Sequence, residues 1–158
     1  MKIIVMSDTH LTTATDGFRA LCSRYCNNAD MVIHLGDWVS NDVLNFMEQH
    51  PLEAVAGNTD DAYIRSRLPD KKVIRVNGFR LGLIHGWGAA PGIRARLREE
   101  FTDVDAILHG HTHQPYQMTE NGIFWFNPGS VTMGRGEPHR SLGILDIQDS
   151  IRSEIVQL

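Results

Sequence analysis

Five short segments of this chain carry residue types that bind metal ions: Asp8-Thr9-His10, Gly36-Asp37, Gly57-Asn58, His85-Gly86 and Gly110-His111-Thr112-His113. A neutral imidazole offers a lone pair with no charge to desolvate, so histidine is the commonest metal ligand near neutral pH. Two aspartates, one asparagine and four histidines exceed what one tetrahedral zinc needs. The set suits two ions with a carboxylate between them. Oxygen and nitrogen donors without thiolate point to manganese first, with zinc, iron, nickel or cobalt as alternatives, rather than calcium. Two divalent ions bring more positive charge than Asp8 and Asp37 return, so the centre attracts an anion even inside an acidic protein. Ions about 3.5–4 Å apart are the usual clamp for in-line displacement at phosphorus. The competing reading makes these residues polar caps at strand ends. Asn58 fits that reading best, because asparagine is common in turns.

Each segment needs an element to aim it. Residues 2–7 read as a buried strand closed by Asp8. Thr15 and Asp16 cap a helix to about residue 27, with Phe18, Leu21, Cys22 and Tyr25 on one face. Residues 30–35 form a second strand ending at Gly36-Asp37. Ser40 caps a second helix with Val43, Leu44 and Met47 inward, stopped near Pro51. Residues 52–56 are a third strand, ending at Gly57-Asn58. Short apolar strands alternating with helices imply a parallel sheet with right-handed crossovers. Ligands of such sheets bind beyond the carboxyl ends of the strands, where Asp8, His10, Asp37 and Asn58 fall.

The second half reads differently. Residues 61–69 are a connector with room for a helical turn. Strands 71–76 and 79–84 pair about Asn77-Gly78, a strong hairpin signal, and the second ends at His85-Gly86. A glycine-bearing loop, 86–92, reads as a rim before a helix at 93–101. Strand 105–109 runs into the triple-histidine stretch. Hairpins follow at 116–126, about Asn121-Gly122, and at 142–156, about Asp149-Ser150. This pattern predicts an α/β fold: two mixed sheets face to face with helices outside, in one domain over residues 1–158. Four of the five ligand segments place a glycine beside the candidate ligand, which permits a sharp turn and a close backbone approach.

Composition narrows the function classes. Apolar content of 42% and charged content of 22% are those of an ordinary globular protein. The net charge of −4 argues against stable nucleic-acid binding and against a membrane surface, both of which want a basic face. Cys22 and Cys26 are the only cysteines. Four apart on a helix, they predict neither a stabilising disulfide nor a zinc set. With no leader-like pattern at the start, they place the chain in the cytoplasm. No apolar run is long enough to span a membrane.

Together and in this order, the five segments resemble the calcineurin-like metallophosphoesterases. The small size and the Asn127-Pro128-Gly129-Ser130 loop are similar to the compact YfcE-type phosphodiesterases. The resemblance implies a four-layer αββα sandwich with a dimetal site at the sheet edges. It assigns Asp8, His10 and His113 to one metal and Asn58, His85 and His111 to the other, with Asp37 bridging. Asp37, Asn58 and His111 are the expected catalytic members of the set. It further implies hydrolysis of a small phosphodiester by a hydroxide shared between two divalent ions. A phosphomonoesterase is the nearest variant. A binding module on the same scaffold, like the metallophosphoesterase-like subunit of retromer, is the alternative from another class. Exposed hairpin edges are compatible with a homo-oligomer.

One departure stands out. Larger relatives have histidine directly after the metal-binding asparagine, where it assists the leaving group. This chain has Thr59, followed by Asp60. Threonine is a poor proton donor, so leaving groups that depart without protonation, such as aryl oxygens, are expected. Asp60 is one candidate for the missing proton. His34 and His109 lie inside strands and read as buried or ligand-orienting rather than metal-binding. Trp38 and Trp87 adjoin ligand turns and could wall an aryl group or simply pack. Arg135 could meet a phosphate, whereas Arg94 and Arg98 read as surface and Thr112 as a partner of the local backbone.

Overall fold

The structure is a computed structural model that describes residues 1–132 and 139–158; Arg135 lies outside the described residues. Among these, β1 (Lys2–Met6), β2 (Met31–His34) and β3 (Leu52–Ala54) alternate with α1 (Asp16–Tyr25), α2 (Asn41–Met47) and α3 (Ala62–Arg67). The hairpin of β4 (Lys71–Val76) and β5 (Phe79–Ile84) follows, then α4 (Ile93–Arg98) and β6 (Ala106–His109). Two more hairpins complete the chain: β7 (Tyr116–Glu120) with β8 (Ile123–Asn127), and β9 (Ser141–Ile147) with β10 (Ile151–Gln157).

Local chemistry starts the elements where the sequence places them. Thr15 accepts from the Phe18 amide, Ser40 from Asp42 and Asp61 from Ile64, each relieving an unpaired donor of the first helical turn. The connector at 61–69 is therefore a capped short helix. Asn77-Gly78 and Asn121-Gly122 have positive φ at both positions, as two-residue hairpins require.

The strands form two mixed five-stranded sheets, ordered β10-β9-β1-β2-β3 and β4-β5-β6-β8-β7. β1, β2 and β3 run parallel, as do β5, β6 and β8; the outer strands are antiparallel. Alternation along each strand separates the layers. Ile3 and Val5 of β1 join Ile33, Leu81, Leu83, Leu108 and Phe126 in the core between the sheets. Ile4 and Met6 face the other way, packing with Phe18, Cys22, Val43, Leu44, Met47 and Ile64 from the helices. On the far side of the second sheet, Ile84 and Ile107 pack with Ile93, Leu97 and Phe101 around α4. The result is the expected four-layer αββα sandwich. Cys22 and Cys26 are free and buried, and no helix is long and apolar enough to cross a membrane among the described residues.

Candidate metal centre

The loops after β1, β2, β3, β5 and β6 meet in one cleft, and the structure brings all seven expected residues into it. Their donor atoms form an unbroken chain of neighbours. Asp8 Oδ1 lies 3.1 Å from His113 Nε2, which lies 3.3 Å from His10 Nε2. Asp37 Oδ2 is 3.4 Å from His10 Nε2 and 3.3 Å from His85 Nε2. Asn58 Oδ1 is 3.1 Å from His85 Nε2 and 2.9 Å from His111 Nδ1. Asp8, His10 and His113, and separately Asp8, Asp37 and His85, have donor atoms close enough together to hold an ion.

The backbone bends sharply to aim these groups. Asp8, His10, Asp37, His111 and His113 all adopt left-handed φ between 47° and 69°. Aspartate and histidine tolerate this region better than most residues, yet each instance costs roughly 1 kcal/mol or more. The Asp8 amide donates to the Gly36 carbonyl at 3.0 Å and the His10 amide to the Asp37 carbonyl at 3.1 Å, so the first two loops brace each other. Close approach explains two glycines. A Cβ on Gly57 would sit 2.1 Å from the Asp37 nitrogen, and one on Gly110 would sit 1.8 Å from the Ser7 hydroxyl.

The protein's own hydrogen bonds leave the centre electron-rich. Asp8 Oδ1 and Asp37 Oδ2 are buried and meet no hydrogen-bond donor among the described residues. Their other oxygens are occupied: Asp8 Oδ2 accepts from the His111 amide and Asp37 Oδ1 from the Thr59 amide. The His85 Nδ1–H donates to the Leu35 carbonyl at 2.7 Å, and the His111 Nε2–H donates to the Gly88 carbonyl at 2.8 Å. In their neutral forms both rings therefore turn a lone pair toward Asn58 Oδ1. A pocket of acceptors facing acceptors fits a cation, so the residues present suit divalent ions.

Electrostatics agree. Burial raises the Asp8 and Asp37 carboxyls, but contacts with His113 and His85 and the local hydrogen bonds hold both below the usual carboxylate range. Burial lowers His10 despite the two carboxylates beside it. Burial also opposes charge on His85, but the Asp37 carboxylate beside it and the nearby Asp8 raise it.

Several neighbours have other duties. His34 is fully buried, stacks 3.5 Å from Trp38, accepts from the Gly36 amide and meets the Thr9 hydroxyl at 2.6 Å; burial lowers its pKa to about 3. His109 is buried with Nδ1 on the Gly110 carbonyl, and burial takes its pKa to about 4. Both support ligand loops from beneath. Trp38 is core, its Nε1 donating to the Val55 carbonyl, whereas Trp87 is 42% exposed beside the cleft. Asp60 does not face the cleft as a proton source. Its two oxygens accept the amides of Val39 at 2.8 Å and Gly57 at 2.7 Å, clasping the loops that carry Asp37 and Asn58. This clasp holds Val39 at φ 74°, an outlier for a β-branched residue.

Asn127 and Ser130 brace the ligand loops from the end of β8 and the turn that follows it. Asn127 Nδ2 donates to the Gly110 carbonyl and to Thr112 Oγ1, both at 3.0 Å, and Ser130 Oγ donates to the Asp8 carbonyl at 2.8 Å. Asn-Pro-Gly-Ser directly after an apolar strand repeats the grammar of the ligand turns and was the available signal. Arg94 pairs with Glu120 and Arg98 with the Phe101 carbonyl, in keeping with surface roles.

Residues 1–150 match the calcineurin-like phosphoesterase superfamily domain. The chain belongs to this family. A probable metallophosphoesterase of Methanocaldococcus jannaschii is 32% identical over 100% of this chain and 82% of its own length. An archaeal phosphodiesterase shares the fold with a TM-score of 0.77 at 24% identity, covering 100% of both chains. Vps29 of Entamoeba histolytica, solved with zinc, gives a TM-score of 0.76 at 23% identity over 99% of both chains. Family membership makes the chain a phosphoesterase hydrolase that uses divalent metal ions, and the seven clustered residues are its candidate ligands.

Proposed function

We propose that this chain is a dinuclear metal-dependent phosphodiesterase acting on a small diester. The observation that carries the reading is Asp37 Oδ2: buried, without a hydrogen-bond donor among the described residues, and 3.4 and 3.3 Å from histidine nitrogens of two adjoining groups. That is where a bridging carboxylate belongs. Asp8, His10 and His113 would hold one ion and Asn58, His85 and His111 the other. Manganese is the first choice, with zinc, iron, nickel or cobalt as alternatives. Two such ions would supply Lewis acidity toward the phosphoryl oxygens and a nucleophile from water at neutral pH. The chain's own residues orient them. Thr59 N–H fixes Asp37 Oδ1 at 2.9 Å, which keeps Oδ2 turned inward.

Diester preference rests on what flanks the site. Thr59 offers no acid for a poor leaving group, and Asp60 is fully engaged with backbone. A hollow of about 380 Å³ beside Asn58 and His85 is edged by Trp87, Arg65 and Lys71. That volume suits a small organic group, with Trp87 as its aromatic wall. A larger hollow of about 490 Å³ beside α4 touches none of the seven residues and has no part in this reading. The two free, buried cysteines support a cytoplasmic setting. The fold shared with Vps29 favours a second reading, a binding module, but the full set of acceptors argues for catalysis.

The test is a metal count on the purified protein, then assays of aryl phosphodiesters against aryl monoesters with added manganese. Two ions per chain and faster diester turnover are expected. Fewer than two ions after loading, with neither ester class hydrolysed, would overturn the proposal.

A further inference from the structure

Among the described residues, three carbonyls of the rim loop before α4 are gathered by one side chain, Arg96. Arg96 Nη2 donates to the Trp87 carbonyl at 3.2 Å and to the Ala89 carbonyl, and Nη1 donates to the Pro91 carbonyl at 3.3 Å. Its Nε is buried under the loop. Gly88 and Gly92, both at positive φ, leave the space the guanidinium fills; a Cβ on either would lie 3.3–3.4 Å from it. A planar fork with several donors can collect three carbonyls of one turn, which an ammonium cannot match. Between two of the captured carbonyls lies Gly88, whose own carbonyl accepts from His111 Nε2–H at 2.8 Å. That bond selects the tautomer of His111 and turns Nδ1 to Asn58 Oδ1 at 2.9 Å.

We infer that Arg96 is a positioning residue for the second ion: it shapes the 87–91 loop so that the Gly88 carbonyl sets the His111 tautomer and ring direction. The inference rests on the dinuclear reading above. Arg96 touches neither substrate nor ion. Its effect is selective, because among the described residues the bonds that position Asp8 and His10 run to the Gly36 and Asp37 carbonyls and the His111 amide, not to this loop. Partners that orient a ligating histidine are worth about 10- to 100-fold in metal affinity, and that is the weakening expected at the second ion when Arg96 is lost.

The test uses the full chain with Arg96→Ala and Arg96→Lys. Calorimetric titration with manganese alone reads the two binding events, and nitrogen NMR of the metal-free protein reads the His111 tautomer. Arg96→Ala should weaken the second event by about tenfold or more, leave the first within a factor of about two, and mix the His111 tautomers. Arg96→Lys should recover part of the loss. If Arg96→Ala fails to fold, Arg96→Lys carries the same two readouts with a smaller expected change. Unchanged second-site affinity with a single His111 tautomer would overturn the inference, as would equal weakening of both events. Wild-type protein that binds two ions but hydrolyses no phosphoester would sink the enzymatic reading while leaving Arg96's role intact. Wild-type protein that binds fewer than two ions would overturn both.

Discussion

The two halves of the candidate metal centre are built to different standards. Asp8 and His113 are buried, with His10 partly covered, and their loops are tied to Gly36, Asp37 and Ser130. Around the other position only His85 is buried. Asn58 is exposed, His111 is partly exposed, and its orientation depends on a surface loop. The buried half is fixed by the sheet ends. The open half is finished by side chains that reach the surface, with His111 held by the 87–91 loop. In the proposed dinuclear centre Asp37 serves both positions, so the difference predicts a tight first ion, a weaker second one, and substrate specificity written on the open side.

Asp37→Asn should do the most damage. Losing the shared carboxylate should weaken both ions and lower turnover by more than the roughly 100-fold that loss of an outer partner costs. Retained activity on an aryl diester would refute the shared role. Next in size is metal-linked stability. Manganese at a hundred times its dissociation constant should add about 2.7 kcal/mol, raising the unfolding temperature by about 5–11 °C for a chain of this size. Scanning calorimetry with and without chelator checks this, and most of the gain should come with the first equivalent. An even split between equivalents would erase the asymmetry.

Asp60→Ala should come third. It strips acceptors from the Val39 and Gly57 amides and should cost about 2 kcal/mol by urea denaturation, with the second ion losing more affinity than the first. A variant as stable as wild type would show that the clasp is dispensable. The smallest effect belongs to Trp87→Ala, which should raise KM for aryl diesters about three- to tenfold, the worth of one aromatic contact, with stability unchanged. Equal effects on alkyl and aryl substrates would remove Trp87 from the specificity wall.

The sequence on its own determined the layer pattern and the list of candidate ligands that the fold gathers in one cleft. Short apolar strands, capped helices and Asn-Gly turns depend on neighbours a few residues apart, so they are legible along the chain. The five ligand turns were legible for the same reason, each being a short polar break after an apolar run. Tertiary structure decided the rest, because it depends on atoms distant in sequence. Asp60 reads as a spare acid beside Asn58, and only the fold shows both its oxygens taken by the Val39 and Gly57 amides. Trp38 and Trp87 look alike in sequence; one packs under His34 and the other edges the cleft. Asn127 and Ser130 support the centre through carbonyls of residues 110 and 8, and Arg96 does so through loop carbonyls. A carbonyl is common to every residue type, so bonds to it leave no mark in the sequence, and only folding selects which one a side chain will find.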